Sequence, residues 1–353
     1  MGIHIIPLTR LFDISSMVEA DYTDFRKRDV SISKLQHEQF NLNVIVSKRK
    51  REDSSLSKLY DIKKYLNSAD FSFNTEYEKL IPQDTPPYLD NGGRYVERIA
   101  RALHYFKQCA LIGPSGTGKT HIVYLVAELA RLPLWEINCG LQTSVFDLFG
   151  RYVGLGKENW IDGQIISWCR YGGILYLDEA NMMKQDIATR LNPILDARGH
   201  VVLTEKDNEI IPRHKNAYLI ISMNPFSVEF AGTKPLNAAF RRRMSVWLNF
   251  DYMSVGQKID EKEVQLIIDK TEIQKSIAEN IVKVGSELRK LYKTGDFPYA
   301  PSIGDLVNWA KLIADGSSVK ESSEETIIAM TSDDIEVQAS VRKIVNAIFG
   351  HNQ

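Results

Sequence analysis

Along this chain, short blocks of consecutive apolar residues alternate with longer stretches in which apolar positions recur every three or four residues. The pattern is clear from about residue 94. "RYVERIARALHYF" (94–106) and "THIVYLVAELARL" (120–132) have helical spacing, whereas "CALIG" (109–113), "LWEIN" (134–138), "GGILYLDEA" (172–180), "YLIISMNP" (218–225) and "VWLNF" (246–250) contain short, wholly apolar runs. Such runs suit strands buried on both faces, and strands alternating with helices predict a three-layer αβα domain around a parallel sheet. From about 260 the strand signal stops. "EKEVQLIIDK", "QKSIAENIVKVGSELRKLY", "SIGDLVNWAKLIAD" and "DDIEVQASVRKIVNAIF" predict a small all-helical domain, and the polar stretch 315–325 between the last two reads as a loop.

Upstream of the αβα pattern the signal is weaker. "SSLSKLYDIKKYLNS" (54–68) has near-helical spacing, and the Pro-, Asp- and Gly-rich stretch 81–93 reads as a linker. The expected organisation is an accessory region over 1–85, an α/β core over 86–255 and a helical lid over 256–353.

Composition narrows the function without identifying it. The 353 residues are 44 % hydrophobic and 25 % charged, with a formal net charge of -1, so no overall basicity draws the chain to nucleic acid or anionic membrane. The basic run "SKRKRED" (47–53) reads as a solvated segment. No apolar run is long enough to predict a membrane span, and the first residues lack the basic and apolar regions of a signal peptide. Cys109, Cys139 and Cys169 form no CxxC pair, which points to a reducing, cytoplasmic setting and away from a zinc site.

Chemistry enters at "GPSGTGKT", the residues Gly113, Pro114, Ser115, Gly116, Thr117, Gly118, Lys119 and Thr120. The spacing fits G-x-x-x-x-G-K-[ST] between a buried strand and a helix, the setting a phosphate loop requires. The glycines let backbone N–H groups converge on phosphate oxygens, and the following helix presents its positive end. Lys119 is the candidate for the β- and γ-phosphates of ATP, and Thr120 for Mg²⁺. "ILYLDEA" then ends a buried strand in two acids that point different ways: Asp178 for Mg²⁺ and Glu179 to polarise the attacking water. A third strand, "LIISMNP", ends at Asn224, which is placed to sense the γ-phosphate or the water.

Phosphate loop, acidic strand, Asn strand, arginine cluster and helical domain, in that order, resemble the AAA+ ATPases. The segments "FDLFGRYVGLGKENWIDGQIISWCRYGGILYLDEANMM" and "IATRLNPILDARGHVVLTEKDNEIIPRHKNAYLIISMNPF" resemble the MoxR-type group, also called dynein-related or midasin-like, with gas-vesicle GvpN and CbbQ/NorQ-type activators the nearest in pattern. The resemblance spans roughly 90–350. It implies a homo-oligomeric, usually hexameric, ring with ATP at subunit interfaces. It also implies a client protein to be remodelled, often one carrying a von Willebrand A-type domain.

In such a ring one subunit lends an arginine to its neighbour's γ-phosphate, a contribution of about 10³ or more in rate. "AFRRRM" matches the family's stretch before the last strand: Arg243 aligns best with this finger and Arg242 is second. One position departs from the pattern. Where the family places an arginine at the start of a lid helix, "APSIGDLVNWAKL" has Gly304, with Arg241 or Arg242 as conceivable substitutes. Trp160, inside the family's insertion, is open to two readings: a grip on a client or packing within its own domain.

Two other functions compete with remodelling. A nucleic-acid motor, such as a helicase or helicase loader, needs a basic loop flanked by aromatics, and the ATPase segment has none; nucleic acid is not the expected partner. A nucleotide-binding structural subunit with weak hydrolysis is supported by Gly304. A small-molecule kinase fits poorly, because it has no use for the arginine cluster.

Overall fold

The computed structural model describes residues 59–67, 75–140, 142–153, 159–225 and 235–350. The basic run 47–53 and the first residues of the helix expected over 54–68 lie outside these. Over 60–67 the chain turns rather than continuing a helix, and the turn buries Ile62 and Leu66.

Five strands form one parallel sheet: β1 (Gln108–Ile112), β2 (Leu134–Asn138), β5 (Gly173–Asp178), β8 (Ala217–Met223) and β9 (Trp247–Asn249), in the order β2-β5-β8-β1-β9. The side chains of β8 are buried throughout, as are those of β5 up to Asp178, which is why both read as unbroken apolar runs. Helices cover the sheet: α2 (Tyr95–Phe106), α3 (Lys119–Ala130), α5 (Gln164–Tyr171) and α6 (Gln185–Leu195). A one-turn α1 (Thr75–Glu78) precedes them and α4 (Val145–Phe149) lies before α5. α2 buries Val96, Ile99, Ala100 and Leu103, the three-to-four spacing that predicted it, and stops where Lys107 turns left-handed.

Two antiparallel hairpins interrupt the α/β alternation, β3 (Gly150–Tyr152) with β4 (Trp160–Asp162) and β6 (His200–Leu203) with β7 (Glu209–Pro212). Arg170 on α5 pins both. Its Nε donates to Asp162 at 2.8 Å and its Nη2 to Glu209 at 2.6 Å. Trp160 is only partly exposed: it packs against the main core, meets Tyr152 edge-on at 5.0 Å and donates from Nε1 to Asp162 at 2.7 Å. Packing within its own domain is therefore what this tryptophan does here.

Packing crosses the expected boundary at 85/86. The Leu134 N–H donates to the Leu80 carbonyl at 3.0 Å, Tyr77 lies against Trp135, and the Tyr60 hydroxyl donates to the Tyr88 carbonyl at 3.0 Å. Residues just upstream of the linker thus belong to the same body as the sheet.

After α7 (Ala238–Arg243) and β9, the chain becomes helical: α8 (Glu261–Thr271), α9 (Lys275–Thr294), α10 (Ile303–Ala314), α11 (Val319–Ser323), a π-helical turn (Glu324–Ile328), α12 (Ala329–Thr331) and α13 (Ile335–Phe349). A second core, built on Val264, Ile281, Leu288, Leu306, Trp309 and Val341, is separate from the one beneath the sheet. The stretch expected to be a loop over 315–325 is helical from Val319. Its serines are satisfied locally: Ser318 caps α11 by accepting from Glu321 N–H at 3.1 Å, and buried Ser322 accepts from Trp309 Nε1 at 3.1 Å. A polar composition does not prevent burial once each hydroxyl has a partner. Among the described residues no helix is long and apolar enough to cross a membrane.

Candidate functional site

Three central strands carry the candidate residues at their C-terminal ends, the place where parallel α/β sheets open a crevice. β1 runs into the phosphate loop, β5 into Asp178 and Glu179, and β8 into Asn224. Lys119, Thr120, Asp178, Glu179 and Asn224 line one cleft of about 310 Å³, together with Ser115, Gly116 and Gly118.

The loop is shaped for close approach. Gly116 and Gly118 have φ of +73° and +83°, a region costly to residues with a Cβ. Gly116 also lies under the lid, since a Cβ there would stand 2.3 Å from Ser302 Cβ. Lys119 opens α3 and is 8 % exposed. Its Nζ donates to the carbonyls of Gly113 and Pro114, both at 2.7 Å, and to Asn224 Oδ1 at 3.2 Å. Burial lowers its pKa to about 8, while Asp178 and Glu179 oppose that shift.

Thr120 and Asp178 face each other, Oγ1 to Oδ2, at 3.3 Å. Asp178 also accepts from Ser222 Oγ and from the Glu179 N–H. Glu179 differs in every respect. It is exposed, its carboxylate makes no hydrogen bond among the described residues, and its backbone is left-handed at φ +51°. A non-glycine residue in that conformation carries about 1–3 kcal/mol of strain, the kind that persists where a side chain is held in a working direction. Two adjacent acids therefore present one anchored and one free carboxylate.

The arginine triplet is not part of this cleft. The Arg243 carbonyl accepts from Gln108 Nε2, at the N-terminal end of β1, whereas the phosphate loop leaves the C-terminal end. A five-residue strand, roughly 16 Å, separates the two. The Arg243 side chain is occupied: Nε donates to the Asn192 carbonyl at 3.2 Å, Nη1 to the Ala239 carbonyl at 2.8 Å and Nη2 to Asp196 at 3.1 Å. The Asn192 carbonyl and Asp196 belong to the C-terminal end of α6, where a cation is favoured by the helix dipole. Arg241 lies over the Trp247 ring at 4.6 Å. Arg242 is exposed and has no ion pair among the described residues.

The lid reaches the phosphate loop through α10. Ser302 caps that helix in a reciprocal capping box with Asp305 and sits against Gly116. Gly304 follows on the first turn, and a Cβ there would meet only Ser302 Oγ, at 3.4 Å. Behind it is a pair invisible to motif reading. Arg289 and Glu263, 1 % and 2 % exposed, are bonded at 2.7 Å. Arg289 also donates to the Pro301 carbonyl at 2.8 Å and lies 4.8 Å over Tyr252, whose hydroxyl donates to the Ser115 carbonyl at 2.9 Å. The buried pair thus braces the lid against the phosphate loop. Nothing local in "ELRKLY" marks Arg289; its helical spacing among buried residues was the only available signal.

The three cysteines are buried singly, with burial as the main cause pushing each thiol up to about 12, so they are unreactive.

Comparison with known proteins agrees with this architecture. Residues 108–244 match the AAA domain of the dynein-related subfamily, and residues 263–348 match the CbbQ/NirQ/NorQ C-terminal family. The denitrification regulatory protein NirQ of Pseudomonas aeruginosa is 30 % identical over 266 residues, which cover 75 % of this chain and 98 % of NirQ. NorQ of Paracoccus denitrificans is 30 % identical over 269 residues, 76 % of this chain and 95 % of NorQ. CbbQ of Hydrogenophilus thermoluteolus is 27 % identical over 265 residues, 74 % and 95 % of the two chains. With a phosphate loop, an acidic strand and a helical lid in the order these families share, the chain belongs to the NirQ/NorQ/CbbQ group of dynein-related AAA ATPases.

Proposed function

We propose that this protein binds and hydrolyses ATP as a ring of identical subunits and uses the cycle to remodel a client protein. The observation that carries this reading is the convergence of Lys119, Thr120, Asp178, Glu179 and Asn224 on one cleft at the ends of three adjacent strands. Lys119 and the loop N–H groups hold the phosphates. Glu179, the free carboxylate, polarises the attacking water, and Asn224 orients it against the γ-phosphate. Asn224 already shares a hydrogen bond with Lys119, so both move with whatever occupies the phosphate position.

The donor set fits a hard divalent cation. Thr120 and Asp178 offer two oxygens 3.3 Å apart, and among the described residues no cluster of three or more His, Cys, Asp or Glu is arranged as a self-sufficient metal cage. Two protein oxygens completed by phosphate and water suit Mg²⁺, which when bound neutralises charge on the phosphates.

The ring is supported by the arginines. None of the three can serve its own cleft from the far end of β1, but Arg242 is exposed and without an ion pair among the described residues, whereas Arg243 is held at the end of α6. Arg242 is thus the guanidinium available to a neighbouring subunit, and Arg243 anchors the helix that presents it. The relative NirQ is named a denitrification regulatory protein, which accords with a regulatory role. A von Willebrand A-type client remains the partner class that the family resemblance suggests.

Glu179→Gln tests the reading. It should leave nucleotide binding intact, abolish turnover and trap the client for affinity purification. Normal turnover by this variant would remove Glu179 from the mechanism. A second reading, a structural subunit with weak hydrolysis, is favoured by Gly304, which leaves the lid helix above the phosphate loop without its arginine. Turnover measured on assembled wild-type protein separates the two.

A further inference from the structure

Tyr176 interrupts the apolar run of β5 two residues before Asp178, so the pleat sends both side chains to the same face of the sheet. The strand is otherwise aliphatic up to the acid. A fully buried phenol in that position is costly unless its hydroxyl is paired. It is paired twice, with Thr120 Oγ1 at 3.1 Å and with Ser222 Oγ, to which it donates at 3.0 Å. The register that sets Tyr176 beside Ile220 and Leu177 beside Ile221 continues to bring Ser222 beside Asp178, and Ser222 donates to Asp178 Oδ1. Four side chains from three elements therefore close an array, with Thr120 from α3, Tyr176 and Asp178 from β5 and Ser222 from β8.

Counting protons shows what the array does. It holds three hydroxyl protons and one carboxylate. Ser222 donates to one carboxylate oxygen and Tyr176 donates to Ser222. The Thr120 proton then has two acceptors, Asp178 Oδ2 at 3.3 Å and the Tyr176 oxygen at 3.1 Å. A threonine oxygen that gives a lone pair to a cation must point its proton away from the cation, and the buried Tyr176 oxygen, which is not part of the cleft lining, provides an acceptor for it.

We propose that Tyr176 is a positioning residue for the divalent cation that accompanies the nucleotide: it orients the Thr120 hydroxyl and, through Ser222, fixes the rotamer of Asp178. This rests on the phosphate-site reading above. Neither Tyr176 nor Ser222 needs to touch nucleotide or metal. Partners behind a metal ligand typically contribute about 10- to 100-fold to metal affinity.

The test separates cation from nucleotide. A non-hydrolysable ATP analogue is titrated calorimetrically into the full-length protein, once with Mg²⁺ and once with EDTA. The ratio of the two dissociation constants measures what Mg²⁺ contributes. Tyr176→Phe keeps the ring and removes only the hydroxyl. It should leave the EDTA value unchanged and reduce the Mg²⁺ advantage about tenfold. Ser222→Ala, a second route into the same array, should act in the same direction. An unchanged ratio in both variants overturns the inference, as does equal weakening in Mg²⁺ and EDTA, which would make Tyr176 a packing residue only. Wild-type protein that binds the analogue but gains nothing from Mg²⁺ overturns the metal-site reading and this inference with it. Wild-type protein that does not bind the analogue at all overturns the proposed function itself.

Discussion

Lys119 should make the nucleotide affinity of this protein pH-dependent in a range where most lysines are silent. Its ammonium is buried in the phosphate loop, and burial lowers its pKa to about 8 despite the nearby carboxylates of Asp178 and Glu179. Bound phosphates place negative charge beside it and raise the value again, so nucleotide binding takes up a proton whenever the free lysine is partly neutral. With a free value of about 8, the lysine is roughly nine-tenths protonated at pH 7, half at pH 8 and one-tenth at pH 9. Affinity is therefore full below pH 8 and falls as pH rises through it, to a dissociation constant about tenfold weaker at pH 9 than at pH 7. The buried thiols do not confuse the measurement, since they are pushed up to about 12. Calorimetric titration with an ATP analogue at pH 7, 8 and 9, in two buffers of different ionisation heat, gives affinity and proton uptake together. At pH 8 the expected uptake is about half a proton per nucleotide. Lys119→Arg carries a charge that does not titrate, so whatever affinity it retains should be flat over this range. A constant wild-type dissociation constant from pH 7 to 9 with no proton uptake would refute the argument and mean that the lysine is charged in the empty loop.

Five further outcomes follow from the geometry. Gly116→Ala puts a Cβ 2.3 Å from Ser302 Cβ at a left-handed φ, adding about 1–2 kcal/mol of backbone strain and pushing the lid off the loop; nucleotide affinity should fall at least tenfold, and wild-type affinity would show that the lid does not rest there. Arg289→Ala strands Glu263, whose Oε2 already lacks a partner, and should cost about 3–5 kcal/mol in urea unfolding, most of it recovered when Arg289→Met is combined with Glu263→Leu; a loss below about 1 kcal/mol contradicts the bracing role. Arg242→Ala should lower ATP turnover of assembled protein about 10³-fold or more without changing nucleotide binding. Arg243→Ala should instead lower the thermal midpoint by releasing the end of α6, at about 1–3 kcal/mol; the reverse pattern would return the finger to Arg243. Gly304→Arg has room for its Cβ and should strengthen ATP binding by roughly tenfold, the worth of one charge-assisted hydrogen bond; no gain would show that the lid helix points its first turn elsewhere.

The sequence by itself determined whatever depends on neighbouring residues. A phosphate loop is eight consecutive positions, because one backbone segment must curl around one phosphate, so "GPSGTGKT" was legible at once. Asp178 and Asn224 were legible for a similar reason: each ends a strand whose apolar run announces it, and such sheets put their chemistry at strand ends. Helices α8, α9, α10 and α13 were legible from spacing. What tertiary structure alone decided involves residues far apart in the chain. Strand order β2-β5-β8-β1-β9 brings β5 and β8 together, and only that adjacency joins Ser222 to Asp178 and closes the array on Tyr176. Arg243 aligns best with the family's finger in sequence, and only packing shows that the end of α6, some fifty residues earlier, holds its side chain. Trp160 and the serines of α11 turned inward because partners close to them satisfied their polar groups: Asp162 takes the indole N–H, and Ser322 accepts from Trp309 on the preceding helix. Spacing along the chain records the geometry of one element, whereas the choice of partner depends on how elements pack, and that is settled by the whole fold.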